Sequence, residues 1–207
     1  MSQDQTFRFV LIVGALILLP IMLYHRLRAR TGETLDRRQE GLLILLTLRP
    51  IGLAMMAGLV AYVINPRWMA WSSFGVPTWL RWAGAGTGML AAGLLLWTLA
   101  NLGRNLTDTV VTRRAAALVS SGPYRWVRHP FYDCVALTIV ANGLVAANWF
   151  LLVAGGVVVT LLVVRTRTEE EKLIQRFGDS YRTYMEQTGR FLPKVGGQLP
   201  RADSGAG

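Results

Sequence analysis

The chain alternates between long uncharged apolar runs and short stretches that gather most of its charge. A helix rises about 1.5 Å per residue, so roughly 20 apolar residues cross about 30 Å of hydrocarbon. Residues 7–24 (FRFVLIVGALILLPIMLY) meet that length after a single Arg8, and Pro20 is tolerable near the end of such a helix. Residues 41–64 meet it too, interrupted at Arg49-Pro50. Residues 82–101 form a clean run whose small residues (AGAGTGMLAAGLLL) let neighbouring backbones approach. From Cys134 to Val164 there is no charge at all, which is too long for one ordinary span. In its middle, Asn148-Trp149 sets a polar break beside an interfacial aromatic. The pattern predicts two short helices, about 131–147 and 149–165, joined by a tight turn. The expected fold is therefore all-α and polytopic, with five transmembrane helices and four as the alternative, the last two forming a short helical hairpin.

Charge adds class and direction. The chain is 52% hydrophobic and only 16% charged, against about 25% charged in a soluble domain. Its net charge of +10 comes from basic residues that flank the apolar runs. Such placement fits cytoplasmic loops beside anionic lipid, so membrane lipids are expected partners and nucleic acid is not. Arg26, Arg28, Arg30, Arg37 and Arg38 follow the first run; Arg104, Arg113, Arg114, Arg125 and Arg128 follow the third. Arg165, Arg167, Lys172, Arg176, Arg182 and Arg190 follow the last. The opposite loop, 65–81, carries Arg67 and Arg81 among Trp68, Trp71 and Trp79, as in an aromatic belt. The N-terminus is expected outside and the C-terminus in the cytoplasm. The start MSQDQTFRF lacks the basic opening and cleavage site of a secretory signal, so the first run is expected to remain as a helix. A single cysteine, Cys134, excludes an intramolecular disulfide and a multi-cysteine zinc site, and no metal is expected.

Two segments carry candidate chemistry. In Gly122–Tyr132 (GPYRWVRHPFY), Gly122-Pro123 signals a turn and Pro130 biases His129 towards an extended conformation. Arg125, Arg128 and His129 stand among Tyr124, Trp126, Phe131 and Tyr132, a set able to grip a flat anionic ligand or to anchor at lipid headgroups. In Arg165–Pro193, Glu169, Glu170 and Glu171 follow directly on the last apolar run. A carboxylate pair there can hold ribose hydroxyls or an ammonium group. Thr168 with Glu171 also fits a capping box that starts a new helix. Leu173, Phe177, Tyr181 and Tyr184 recur at helical spacing, which predicts a C-terminal cytoplasmic amphipathic helix laid back over the embedded part. Residues 194–207 are polar and Gly-rich and are expected to be disordered.

Together these segments resemble the isoprenylcysteine carboxyl methyltransferase and phospholipid methyltransferase superfamily of membrane enzymes. The matching positions are Gly122-Pro123-Tyr124, Arg128-His129-Pro130-Phe131-Tyr132, Glu169-Glu170 with Leu173, Phe177-Gly178, Tyr181 with Tyr184, and Arg190-Phe191-Leu192-Pro193. The resemblance covers about 100–193, in matching order and spacing. It implies one membrane-embedded domain over 1–193, with helices in 1–100 and a cofactor-binding catalytic core in 101–193. It further implies S-adenosylmethionine from the cytosol and a lipophilic small-molecule or lipid-linked acceptor entering from the bilayer. On that resemblance Arg128, His129 and Tyr124 hold the methionine carboxylate end of the cofactor, Pro130 and Tyr132 line the pocket, and Glu169 or Glu170 holds ribose or amine groups. Arg165 and Arg49 are candidates to orient a carboxylate acceptor. Arg49 stands inside an apolar run, where it is either functional or snorkels to the interface. The chain departs from the pattern where the family has Gly two residues after the motif Tyr: here stand Asp133-Cys134. Asp133 is then a general base, an acceptor contact or the cap of the following helix. The rival classes are a nicotinamide-dependent reductase of the sterol-reductase type, with a similar Arg-His-Pro entry but no Glu pair, and a non-enzymatic membrane adaptor. The Ala/Gly/Arg-rich composition suggests a bacterial inner membrane.

Overall fold

A computed structural model describes residues 3–28, 42–102 and 118–194. Within them the chain forms six α-helices: α1 (Gln3–Arg28), α2 (Leu42–Ile64), α3 (Thr78–Leu102), α4 (Pro130–Ala146), α5 (Trp149–Phe177) and α6 (Asp179–Gln187). Short 3-10 helices at Pro66–Ser72 and Gly122–Arg125 precede α3 and α4. No strand forms among the described residues, where extended pairing is limited to isolated bridges of Ser73 with Asn148 and Val127 with Gly189. Arg30, Arg37, Arg38, Arg104, Arg113, Arg114 and residues 195–207, which bear on the expected orientation and the expected disordered tail, lie outside the described residues.

Four helices, α1, α2, α3 and α5, are long and apolar enough to cross a membrane. Among the described residues the fold is all-helical, with the four long apolar helices of an integral membrane protein, and side chains such as Leu16, Leu53 and Met89 are exposed as lipid-facing residues are. α4 has 17 residues and extends about 26 Å, short of a full hydrocarbon layer of about 30 Å. The α4–α5 turn falls where the polar break predicts it. Asn148 caps α5 by accepting a hydrogen bond from the Leu151 N–H (3.2 Å), and its amide donates to Ser72 Oγ (2.7 Å) and Met69 O (3.2 Å). Neither Pro20 nor Pro50 ends its helix.

The second arm of the hairpin is not short, and this corrects the sequence expectation. α5 runs unbroken from Trp149 to Phe177, about 44 Å. A capping box would need Thr168 to leave helical geometry. Nothing forces it out, because the segment after the apolar run is rich in Glu, Lys, Leu, Gln and Arg, all strong helix formers, and Arg165 pairs with Glu169 one turn on. The break comes at Gly178, whose φ of +57° suits a residue without Cβ. Leu173 and Phe177 therefore belong to α5, and Tyr181 and Tyr184 to the separate nine-residue α6.

Packing explains the alignment of the bundle. α3 lies against α4 through Gly84, where an added Cβ would come within 2.9 Å of Leu144 Cβ. At the end bearing the α4–α5 turn, Phe7, Leu11, Tyr62, Met69, Val145, Ala146 and Leu151 form a core. Arg81 is buried beside it and lies 4.0 Å over the Phe7 ring. It donates to Asp4 Oδ1 (2.9 Å), Tyr62 OH (3.2 Å) and Val145 O (3.0 Å). One guanidinium thus ties α1, α2, α3 and α4 together, where the sequence suggested only an interfacial loop residue. The opposite end carries Leu95, Leu99 and Cys134, and above them the candidate site.

Candidate functional site

The site is built where the start of α4 meets the polar last turns of α5. Gly122 turns the chain at φ +58°, with the Asn101 side chain where a Cβ would stand. The segment after it becomes extended and pairs with the strap that follows α6. Arg128 N–H donates to Gly189 O (2.9 Å), His129 N–H to Arg190 O (3.1 Å) and Gly189 N–H to Trp126 O (3.2 Å). Pro130 then opens α4 at a position where its missing N–H costs nothing. Loop and strap hold each other by their backbones, and their side chains converge on two adjacent glutamates.

Glu170 is buried and is the hub. It accepts from Arg128 Nε (2.8 Å), Arg190 Nε (3.2 Å) and Arg190 Nη2, and His129 Nε2 lies 3.2 Å from the same Oε1 that Arg128 engages. Arg128 also donates to Met185 O (3.2 Å) and Thr188 O, closing the end of α6. Glu169, one residue earlier, is less enclosed. It accepts from Tyr132 OH (2.6 Å) and Arg165 Nε (3.0 Å), and His129 Nδ1 stands 3.7 Å away. The His129 ring stacks on Tyr132 at 6° between planes, with Phe191 tilted against it at 5.8 Å between centroids.

Tyr124 is buried beneath this cluster. Its carbonyl accepts from Tyr184 OH (2.6 Å), yet no described residue hydrogen-bonds its phenol. Burial pushes the Tyr124 phenol above its usual range, so it keeps its proton and remains a donor; burial raises Tyr184 and Tyr181 likewise.

The structure therefore brings together Tyr124, Arg128, His129, Pro130, Tyr132, Arg165, Glu169 and Glu170, whose motifs lie up to 46 residues apart in sequence. Arg49 is exposed on α2 and makes no hydrogen bond or ion pair with a described residue. Asp133 does not cap α4: His129 holds the cap position, and Asp133 stands in the first turn, half-buried, its carboxylate without a hydrogen bond to a described residue. Cys134 is buried at 2% exposure, its sulfur 3.9 Å from Thr98 Oγ1. Arg190 and Phe191 are members of the site that the motifs alone left at the level of a matching ending. Only the fold shows their part, because the strap after α6 brings Arg190 to Glu170 and Phe191 to His129.

Part of the chain, including His129, Tyr132, Glu169 and Glu170, is similar in sequence to known proteins. Residues 85–175 match the sequence model of the Isoprenylcysteine carboxyl methyltransferase (ICMT) family. Over 119 residues the chain is 28% identical to the nickel-cobalt-cadmium resistance protein NccN of Alcaligenes xylosoxydans xylosoxydans, covering 57% of this chain and 54% of that protein. It is 29% identical over 119 residues to the cobalt-zinc-cadmium resistance protein CzcN of Cupriavidus metallidurans, covering 56% and 55%. The chain spans about half the length of the curated relatives it matches. Among the described residues no group of three or more His, Cys, Asp or Glu side chains is placed to hold a metal ion.

Proposed function

We propose that this chain is an S-adenosylmethionine-dependent methyltransferase of the bacterial inner membrane that acts on a lipophilic acceptor entering from the bilayer. In this reading residues 1–193 are one domain, the N-terminus lies outside, and the site opens to the cytoplasm. The observation that carries it is the meeting of His129 and Tyr132 with Glu169 and Glu170 within the family-matched stretch. A lipid anchor has no use for that geometry, and a sterol-type reductase lacks the Glu pair.

The residues present fit the cofactor in kind. The Tyr124 hydroxyl, which no described residue engages, the guanidinium of Arg128 and the ring of His129 suit a carboxylate end, and Glu169, the more open glutamate, suits hydroxyl or ammonium groups. Glu170 is consumed by Arg128 and Arg190, so its part is to position His129 and Arg128 rather than to touch the ligand. The bound cofactor supplies an activated methyl group. The protein supplies orientation and exclusion of water: the His129–Tyr132 stack and Phe191 wall the site, while the strap from Thr188 to Lys194 closes its cytoplasmic side. The reading extends the names of the relatives no further than to suggest that such a methylation serves a metal-resistance system.

Calorimetric titration of the detergent-purified chain with S-adenosylhomocysteine, with NADPH run alongside, tests this. Binding of S-adenosylhomocysteine that is lost in Glu169→Ala supports the reading. Binding of NADPH alone moves the assignment to the reductase class.

A further inference from the structure

Glu170 holds His129 only as firmly as Glu170 is itself held. Arg128 reaches Oε1 through Nε, while its Nη1 is turned away to Met185 O and Thr188 O, and His129 Nε2 faces the same Oε1. The last torsion of a glutamate is soft, so contact at one oxygen leaves the carboxylate plane free to rotate, and with it the oxygen that His129 faces. Arg190 supplies the second point. Its Nε lies 3.2 Å from Oε1 and its Nη2 bonds Oε2, which no other described residue reaches. A planar guanidinium laid along both oxygens fixes the carboxylate plane, as a single ammonium does not. Arg190 arrives on the strap after α6, whose backbone accepts from the Arg128 N–H (2.9 Å) and the His129 N–H (3.1 Å). The next strap residue, Phe191, sets its ring 5.8 Å from that of His129. The Arg190 side chain is 36% exposed, so this hold is made at the surface and is released there.

Resting on the methyltransferase reading above, we propose that Arg190 is a positioning residue for the cofactor site, acting as a latch: by holding both oxygens of Glu170 it orients His129, so the site is complete only while the strap is down. Arg190 touches neither cofactor nor acceptor and acts through Glu170. Linkage then adds a second consequence. A latch that raises affinity for a ligand is itself favoured, by the same factor, when that ligand is bound. Cofactor and strap therefore hold each other in place. Because an exposed ion pair contributes little to folding, the effect of Arg190 falls on ligand affinity and not on melting. The latch also has a direct reporter. Trypsin cuts after Arg190 only by taking that side chain into its own specificity pocket, which requires it to leave Glu170. Cleavage at Arg190–Phe191 thus follows the unlatched population.

The test uses the full chain in detergent with S-adenosylhomocysteine as the ligand. Arg190→Lys and Arg190→Gln should each lose about tenfold in affinity by calorimetry, as for one charge-assisted contact that depends on geometry. Their melting temperatures should stay within about 3 °C of the parent. Lysine keeps the charge and loses the two-point hold, so its failure to rescue separates orientation from charge. Saturating ligand should slow the appearance of a new amino terminus at Phe191 under trypsin, read by mass spectrometry, about tenfold in the parent and by a smaller ratio in Arg190→Lys. Full affinity in Arg190→Lys, or cleavage at Phe191 that ligand does not slow, would overturn the inference alone. So would a fall in melting temperature as large as that of Glu170→Ala, which would make Arg190 a support of the fold. Failure of the parent to bind S-adenosylhomocysteine would remove the methyltransferase reading and this inference with it.

Discussion

The two adjacent glutamates should fail in opposite ways, and this follows from how each is held. Glu170 is 4% exposed at its side chain and faces Arg128, itself 9% exposed, at 2.8 Å. Removing one partner of a buried ion pair leaves the other charge uncompensated, which costs about 3–5 kcal/mol. Arg190 is 36% exposed and can turn to solvent, so it adds little to that figure. For a chain of this size 1 kcal/mol moves the melting temperature by about 2–4 °C, giving a predicted loss of roughly 6–20 °C in Glu170→Ala. Glu169 is 16% exposed and its partners Tyr132 and Arg165 lie at a more open edge. Glu169→Ala should melt only a few degrees lower, about 1 kcal/mol of effect, yet lose affinity for S-adenosylhomocysteine. Tryptophan fluorescence on heating the detergent-solubilised variants reads the first quantity and calorimetry the second. If Glu170→Ala melts within about 2 °C of the parent, or if Glu169→Ala is the less stable of the two, the division of labour is wrong.

Three further outcomes follow from the same contacts. Gly189→Ala would drive a Cβ into the Leu192 carbonyl, so the strap should detach from Val127 and Arg128, raising protease sensitivity after α6 and weakening S-adenosylhomocysteine binding. Asn148→Ala removes the α5 cap and the amide bonds to Ser72 Oγ and Met69 O, which keep only the bond between themselves, a loss of about 1–3 kcal/mol in stability with ligand affinity unchanged, read by thermal melting and calorimetry. Arg81→Met should lower the melting temperature too, since it unties four helices and leaves Tyr62 and Val145 O without their donor. Its S-adenosylhomocysteine affinity should stay at the parent value, because Arg81 belongs to the opposite end of the bundle.

What the sequence made legible was local or periodic. The apolar runs marked α1, α2 and α3, and Asn148-Trp149 marked the hairpin turn because an Asn at a helix start has a specific use there. The end of α5 was not legible: an apolar run reports where lipid ends, whereas a helix ends where the backbone must change, at Gly178. The cofactor motifs were recognisable from spacing, but the different states of Glu169 and Glu170 depend on Arg190 and on the strap that delivers it, and adjacent identical residues carry no sign of that. The Arg81 clamp was hidden for a similar reason. Its partners Asp4, Tyr62 and Val145 come from three separate helices, and a lone Arg beside tryptophans reads equally well as an interfacial anchor.

The measurement that bears most directly on the central claim is methyl transfer itself. Membranes containing the chain would be incubated with S-adenosylmethionine labelled at the methyl group, and label extractable into organic solvent would be counted against membranes with His129→Ala or Glu169→Ala at equal protein level. Label entering the lipid-soluble fraction with the parent chain and not with either variant is the predicted result. Equal labelling by all three, or none by folded parent protein supplied with its host membrane lipids, would contradict the assignment of methyl transfer to this site.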